Sequence, residues 1–330
     1  MHREAGARLP VSVLVTGGAG FIGSHLCARL LEDAFEVVSL DSYDDFYDPD
    51  IKRGNLTECR DHARFTEVEG DIRDAATLDK LPEVDTIIHL AARAGVRPSI
   101  KDPVLYHDVN VGGTLVLLEL ARNRGIPRFV FGSSSSVYGN NERVPFSEDD
   151  AVDQPISPYA ATKKAGELLC HTYHHLEELG VLCLRFFTAY GPRQRPDLAI
   201  HKFARLMTDG QAVPRFGDGT TERDYTYVDD IVDGVMGSLD YLEAHPGSYE
   251  IINLGESRTI SLNEMIDTVS RALAVKPVID ELPLQPGDVT RTYADVSKAR
   301  ALLHYAPRTG FQEGVRRFVE WFGGQASGSG

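Results

Sequence analysis

Residues 11–16, Val-Ser-Val-Leu-Val-Thr, are rich in β-branched side chains and lead directly into Gly17-Gly-Ala-Gly20-Phe-Ile-Gly23. Residues 24–31 then have the pattern of a helix. A strand, a glycine turn and a helix in immediate succession are typical of the start of a β-α-β unit, because small residues let the chain turn sharply. This feature predicts a parallel sheet with helices on its faces.

The alternation of strand and helix continues along the chain. Further strand patterns lie at residues 36–40, 65–68, 86–90, 129–131 and 181–185, with helical patterns between them, notably at 112–124 and 158–179. Parallel neighbours need long crossovers, which helices supply. The sequence therefore predicts an α/β fold with a Rossmann-type, doubly wound parallel sheet.

The pattern changes after residue 187, where a Pro- and Arg-rich loop begins. We predict one domain over residues 1–187 and a smaller C-terminal α/β domain over 188–330, with segments around 225–255 able to cross back to the first. Ser261 and Glu264 form a capping-box pattern, which predicts a helix beginning after Ser261.

Composition excludes several classes of function. The net charge is −15, which argues against a nucleic-acid partner. No apolar run reaches the roughly 18 residues of a membrane span, and residues 1–10 lack the apolar segment of a signal peptide. The four cysteines form no CxxC pair, so we predict no metal site and a cytoplasmic location.

The glycine loop is a candidate dinucleotide site. Its G-x-x-G-x-x-G spacing differs from the commoner G-x-G-x-x-G, and the alternative is a turn that serves only packing. Asp41 ends the second strand, where a carboxylate accepts from a ribose 2′-hydroxyl and repels a 2′-phosphate, so NAD is favoured over NADP. Asp71 is placed to accept from the adenine amino group, or else to cap a helix.

A second group of residues has the chemistry of a general base. Tyr159 and Lys163 are four residues apart in a helix that Ser157 caps, so they share one face. A neighbouring ammonium favours the phenolate, which predicts a lowered pKa for Tyr159. A lone Tyr-x-x-x-Lys pair is common on protein surfaces. Here, however, the serine run 133–136 follows a strand some twenty residues upstream, and strand ends face the crevice of such sheets.

Together with Leu90-Ala91-Ala92 and Asn110-Val-x-Gly-Thr, these motifs resemble the extended short-chain dehydrogenase/reductase family over roughly residues 11–320. The resemblance implies a tightly bound NAD, a nucleotide-sugar substrate and a homodimer. It implies cofactor contacts from Gly17, Gly20, Phe21, Ile22, Gly23, Asp41, Asp71, Ile72, Leu90, Ala91, Ala92, Asn110, Tyr159 and Lys163.

The same resemblance assigns the substrate side. By position Ser134 matches the family's catalytic Ser/Thr, beside Tyr159 and Lys163. Dehydratases and UDP-glucuronate decarboxylases of the family typically have acids at one or both of the next two positions, where this chain has serines, so epimerisation is favoured. Substrate contacts are implied for Ser134, Ser135, Ser136, Thr188, Arg195, Phe216, Arg223 and Arg291.

Residues 41–48, Gly95-Val-Arg97 and Arg195-Pro-Asp look like those of UDP-glucuronate 4-epimerases. UDP-galactose 4-epimerases usually have Asn where this chain has Thr188. The resemblance thus implies C4 epimerisation of UDP-glucuronate to UDP-galacturonate through a 4-keto intermediate, with Arg195 and Thr188 at the carboxylate. The alternatives are a UDP-galactose-type 4-epimerase, a UDP-glucuronate decarboxylase and, from a different class, a non-catalytic NAD-binding regulator.

Overall fold

Strands and helices alternate through most of the chain in the computed structural model, which describes residues 11–283 and 290–327. The strands are β1 (Ser12–Thr16), β2 (Glu36–Asp41), β3 (Phe65–Glu69), β4 (Thr86–His89), β5 (Arg128–Ser134), β6 (Gly180–Phe186), β7 (Thr188–Tyr190), β8 (Ala212–Phe216), β9 (Glu222–Tyr227), β10 (Tyr249–Leu254), β11 (Thr259–Ser261) and β12 (Val278–Leu282). The helices are α1 (Phe21–Glu32), α2 (Pro49–Asn55), α3 (Thr57–Arg60), α4 (Ala75–Leu78), α5 (Val96–Lys101), α6 (Pro103–His107), α7 (Gly113–Arg124), α8 (Pro158–Glu177), α9 (Ala199–Thr208), α10 (Val228–Ala244), α11 (Leu262–Leu273), α12 (Ser297–Leu303) and α13 (Phe311–Ser327). Residues 1–10, where we expect no signal peptide, lie outside the described residues.

The predicted doubly wound sheet is confirmed. Seven strands pair in the order β3-β2-β1-β4-β5-β6-β10, and every pairing is parallel. Leu14 and Val15 in β1 point to opposite faces and are fully buried, as expected for a central strand covered on both faces. The chain order reverses between β1 and β4, which leaves a crevice at the carboxyl ends of these two strands.

Helices cover both faces of the sheet through two apolar clusters. Leu26 of α1 and Ile231 of α10 pack on one face. Leu117 of α7 and Cys170 of α8 pack on the other. None of the helices among the described residues combines the length and apolar character that a bilayer span requires.

The C-terminal part contains two small sheets, β11-β9-β7 and β12-β8. Met265 of α11 and Phe318 of α13 belong to its separate apolar core. The predicted boundary at residue 188 falls where β6 ends and β7 begins, while β10 crosses back to join the main sheet beside β6. The predicted cap of α11 is present, since Ser261 Oγ accepts from the N–H of Glu264 at 3.0 Å.

Candidate active site

A cleft of about 440 Å³ opens at the carboxyl ends of the main-sheet strands. That volume lies in the range of small-molecule sites. Many of the residues that the sequence singled out line this cleft. They are Gly17, Gly20, Phe21, Ile22, Gly23, Asp41, Asp71, Ile72, Leu90, Ala91, Ala92, Ser134, Ser135, Ser136, Tyr159, Lys163, Thr188 and Arg195.

The glycine loop connects β1 to α1 at the floor of the cleft. Gly17 has a φ of +72°, and a Cβ atom there would lie 2.8 Å from the backbone nitrogen of Ala91. A Cβ atom on Gly23 would lie 2.1 Å from the carbonyl oxygen of Gly17. Both positions therefore require glycine. The tight turn aims the first turn of α1, with its partnerless N–H groups and positive dipole end, at the cleft, which suits a diphosphate.

Asp41 lies at the end of β2 and is only 9% exposed. Its carboxylate accepts from the N–H of Tyr43 at 2.9 Å and from the N–H of Ala19 at 3.2 Å. Burial raises the pKa of Asp41, against these two hydrogen bonds and the positive charge of Lys52. The carboxylate is thus fixed at the edge of the cleft, where it can accept from a hydroxyl.

Lys52 is a cleft residue that the sequence analysis missed. It belongs to α2, is 7% exposed, and donates from Nζ to the carbonyl oxygen of Asp44 at 2.6 Å. The absence of an Arg beside Asp41 in the sequence favoured NAD, but the fold brings this cation into the same part of the cleft. The carboxylate of Asp41 therefore lies near a positive charge, which would weaken its repulsion of a 2′-phosphate.

Asp71 and Ile72 also line the cleft. The Asp71 carboxylate pairs with Arg73 at 2.6 Å, and this partner lowers its pKa, so Asp71 is an ionised acceptor. Asn110, in contrast, does not line the cleft. Its side chain accepts from the N–H of Arg93 at 2.8 Å and donates to the carbonyl of Arg93 and to Thr162 Oγ1, each at 3.0 Å. These bonds hold the loop after β4, and the cofactor contact of Asn110 stays a prediction.

Tyr159 and Lys163 project from the first turns of α8 into the cleft. Ser157 caps this helix, accepting from the N–H of Ala160 at 3.1 Å. Lys163 is 5% exposed, and its Nζ donates to the carbonyl of Gly132 at 2.7 Å. The same Nζ lies 6.0 Å from the centroid of the Tyr159 ring. Burial lowers the pKa of Lys163 to about 8.

The predicted direction of the Tyr159 pKa shift is wrong. Burial raises the pKa of Tyr159, and the opposing contributions come from a hydrogen bond with Ser134 and from the charge of Arg195 rather than from Lys163. Lys163 donates to the carbonyl of Gly132 and lies over the Tyr159 ring, and burial outweighs the nearby positive charge.

The serine run divides between the cleft and the protein interior. Ser134, the last residue of β5, lines the cleft, accepts from the N–H of Ser136 at 3.2 Å and donates to Ser136 Oγ at 3.1 Å. Ser133 points the other way and donates to Glu167 at 2.7 Å. Because side chains alternate along the strand, Ser134 lies within reach of Tyr159, whereas Ser133 bonds to Glu167 in the interior.

Arg195 reaches the cleft from the loop after β7 and is 18% exposed. Its Nε and Nη2 donate to the Asp197 carboxylate at 2.9 and 2.8 Å, and its guanidinium lies 5.4 Å from the centroid of the Phe46 ring. A ligand carboxylate would therefore bind at Nη1 or displace Asp197. Thr188 of β7 lines the same end of the cleft.

Phe216, Arg223 and Arg291 do not belong to the lining of this cleft and lie in the C-terminal part. Phe216 ends β8, and its ring lies 5.3 Å from the guanidinium of Arg97. Arg223 donates to the carbonyl of Glu222 at 2.8 Å, and Arg291 pairs with the carboxylate of Glu222. Arg223 and Arg291 thus both contact Glu222, while the ring of Phe216 contacts Arg97.

Other contributors become visible only in the fold. Arg93 lines the cleft and pairs with Asp44 at 2.5 Å. The ring of Tyr106 meets that of Tyr159 edge to face at 6.4 Å. The one sequence signal for Arg93 is its position next to Leu90-Ala91-Ala92; Tyr106 has none. Within the described ranges, no three His, Cys, Asp or Glu side chains are grouped as metal ligands.

Comparisons with known proteins agree on one family. Residues 14–318 match the family described as GDP-mannose 4,6 dehydratase. UDP-glucuronate 4-epimerase 3 of Arabidopsis thaliana is 44% identical over 335 residues, which cover 96% of this chain and 77% of that protein. UDP-glucuronate 4-epimerase of Thermodesulfobacterium geofontis is 43% identical over 312 residues, which cover 93% of this chain and 95% of that protein.

Solved structures agree with these relatives. The crystal structure of UDP-glucuronic acid 4-epimerase from Bacillus cereus, in complex with UDP-glucuronic acid and NAD, has a TM-score of 0.90. It is 36% identical, and the match covers 96% of this chain and 100% of that chain. The structure of MoeE5 in complex with UDP-glucose and NAD has a TM-score of 0.85 at 36% identity, covering 96% of this chain and 99% of that chain.

Proposed function

The chain belongs to the extended short-chain dehydrogenase/reductase family described as GDP-mannose 4,6 dehydratase, and from this premise we propose that it is an NAD-dependent UDP-glucuronate 4-epimerase. One observation supports the choice of reaction and substrate most strongly. The cleft that contains Tyr159 also contains the Arg195 guanidinium, close enough to lower the pKa of the phenol, while Ser135 and Ser136 stand at positions where an acid would assist elimination.

The residues at the cofactor end fit NAD. The glycine cradle excludes side chains from the diphosphate position, as Gly17 and Gly23 show, and Asp41 offers an ionisable acceptor for a ribose hydroxyl. NAD bound here supplies a reversible two-electron oxidation of the sugar at C4. Because that cycle returns the cofactor unchanged, we expect it to stay bound through turnover.

Tyr159 is the proposed general base. In its phenolate form, the Tyr159 oxygen takes the proton of the sugar 4-hydroxyl and later returns it, while Ser134 holds the sugar oxygen through a second hydrogen bond. Lys163 orients this arrangement from beneath, through its bond to Gly132. Burial raises the pKa of Tyr159 even though the charge of Arg195 is close, so formation of the phenolate needs more positive charge at the hydroxyl than Arg195 supplies.

The carboxylate of the sugar is proposed to lie between Arg195, Thr188 and the serine run. A 4-keto uronate is a β-keto acid, which loses CO₂ when the breaking bond aligns with the carbonyl π system. Charge-assisted hydrogen bonds from Arg195 hold the carboxylate in a defined orientation. A second proposed subsite, at Phe216, Arg223 and Arg291, takes the nucleoside diphosphate.

The test is incubation of the purified protein with UDP-glucuronate, followed by product analysis by NMR. We expect UDP-galacturonate, no pentose product, and no requirement for a continuous supply of NAD. Release of stoichiometric NADH, or a product with CO₂ lost, would contradict the proposal. Heat denaturation of the protein as purified should release NAD.

A homodimer in the cytoplasm is the proposed setting. Leu115 of α7 and Leu168 and Leu176 of α8 are 41%, 58% and 67% exposed on neighbouring helices. Such apolar residues suit an isologous contact between two copies. Light scattering that gives the mass of a monomer at micromolar concentration would contradict the dimer.

A further inference from the structure

The ring of Phe46 faces two guanidinium groups from distant parts of the chain. Phe46 lines the cleft from the loop after β2 and is half-buried. The guanidinium carbon of Arg93, in the loop after β4, lies 5.8 Å from the ring centroid, and that of Arg195, in the loop after β7, lies 5.4 Å from it. An aromatic face attracts cations at these distances. Three loops of the cleft thus meet at this one ring.

The loop that carries Phe46 is held in place by polar contacts of Asp44. The Asp44 carboxylate accepts from the N–H of Phe46 at 2.8 Å and pairs with Arg93 at 2.5 Å. The backbone carbonyl of Asp44 accepts from Nζ of the buried Lys52 at 2.6 Å. These contacts connect the loop to α2 and to the loop after β4, so they set the position of the Phe46 ring in the cleft.

Two contacts restrain the guanidinium of Arg195. Asp197 accepts from its Nε and Nη2 atoms at 2.9 and 2.8 Å, and the Phe46 ring lies against the same group. The bonds to Asp197 do not use Nη1, which is the atom that can meet a ligand while this pair stays intact. A guanidinium that is already held loses less conformational entropy when a carboxylate binds. The ring therefore affects how well Arg195 binds an anion.

We propose that Phe46 is a positioning residue for substrate choice, whose ring holds the Arg195 guanidinium so that Nη1 meets the carboxylate of the sugar. Phe46 acts through Arg195 and makes no bond to the substrate itself. The neutral hydroxymethyl group of UDP-glucose forms no ion pair with Arg195, so loss of the ring weakens the charged sugar selectively. This inference rests on the proposed UDP-glucuronate substrate.

The experiment measures the dissociation constants of UDP-glucuronate and UDP-glucose by calorimetry on the NAD-loaded protein. Phe46→Leu and Phe46→Met keep an apolar side chain without a π face, and Phe46→Tyr, which keeps the ring, is the matched control. The Leu and Met variants should weaken UDP-glucuronate about 2- to 30-fold and leave UDP-glucose unchanged, while Phe46→Tyr should bind both sugars like wild type. In an Arg195→Ala background, Phe46→Leu should have no further effect, because the group through which it acts is absent.

Three outcomes would overturn the inference. If the Leu and Met variants weaken both sugars equally or lose NAD, the ring supports the loop and not Arg195. If the effects of Phe46→Leu and Arg195→Ala on UDP-glucuronate add, Phe46 contacts the substrate directly. If the Leu and Met variants keep the preference of the wild type, the contact with Arg195 has no role in recognition. A wild type that does not prefer UDP-glucuronate would instead reject the proposed function, so the two failures are distinguishable.

Discussion

Glu167 of α8 and Arg185 of β6 form a bidentate ion pair behind the serine run, with N···O distances of 2.8 and 2.9 Å. Each side chain is 1% exposed. Ser133 donates to Glu167, and Arg185 donates to the hydroxyl of Tyr138 at 3.0 Å. The pair therefore ties the helix of Tyr159 to the strand that ends in Ser134, two elements whose relative position sets the geometry of the proposed base.

Replacement of Glu167 by Gln should lower the free energy of unfolding by roughly 3–5 kcal/mol, because Arg185 then remains buried without a counter-charge. Urea denaturation measures the change. Glu320→Gln breaks an exposed pair with Arg316 and should have no measurable effect. Equal stability of the Glu167 variant and wild type would show that Arg185 finds another partner.

Tyr159→Phe should reduce kcat by about 10²–10⁴-fold, because the proton acceptor is lost. NAD binding should survive, since the ring and its packing remain. Tyr106→Phe is the matched control: its hydroxyl donates to the carbonyl of Ala94 at 2.7 Å and its ring touches Tyr159, but it has no proposed proton to move. The assignment fails if both variants lose activity to the same degree.

Asp41→Asn should weaken NAD and reduce the preference for NAD over NADP, because the charge that repels a 2′-phosphate disappears while Lys52 remains beside it. Asp71→Asn should weaken both cofactors alike, since Asp71 is proposed to meet the adenine. Dissociation constants of NAD and NADP for the two variants give the comparison. If the ratio of the two dissociation constants is unchanged in Asp41→Asn, Asp41 does not contact the ribose hydroxyl.

The sequence predicted the parts of the site that depend on local geometry. The glycine loop and the Tyr159/Lys163 pair each lie within one turn or one helix, so spacing alone brings their atoms together. The contact of Arg97 with Phe216 and the approach of Lys52 to Asp41 join distant segments, and no local pattern encodes such distances.

The same reason explains what the motifs leave out. The motif predicts a cofactor contact for Asn110 but gives no sign of the bonds from its amide to Arg93 and Thr162, partners that only the folded chain supplies. The pKa of Tyr159 rises because burial outweighs nearby charge, and the degree of burial is not a property of residue spacing.

A pH dependence follows from Glu256 in the loop after β10. Burial and the charges of Asp230 and Asp224 raise its pKa to about 7 from an ordinary 4.5. Between pH 4.5 and pH 7, the Glu256 carboxyl therefore keeps its proton in the folded state but has lost it in the unfolded state. The contribution of protonated Glu256 to the stability of the folded state is complete below pH 4.5 and is lost as the pH rises through 7.

The free energy of unfolding of Glu256→Gln at pH 8 should accordingly exceed that of wild type. The expected difference is roughly 1–2 kcal/mol once solvent screening of this half-buried group is allowed for. At pH 5 the difference should shrink. Urea titrations at both pH values measure it, with Glu177→Gln on the exposed end of α8 as control. A variant that is no more stable than wild type at pH 8 would contradict the assignment.

The central claim is that the substrate is UDP-glucuronate and that Arg195 binds its carboxylate. The most direct measurement compares kcat/KM for UDP-glucuronate and UDP-glucose in wild type, Arg195→Ala and Asp197→Asn, with product analysis. A charge-assisted hydrogen bond contributes about 1.5–3 kcal/mol, or roughly tenfold to over a hundredfold. We predict that wild type prefers UDP-glucuronate by such a factor, that Arg195→Ala loses this preference, and that Asp197→Asn, which frees the guanidinium, increases it. Preference of the wild type for UDP-glucose, or an equal loss of both substrates in Arg195→Ala, would contradict the claim.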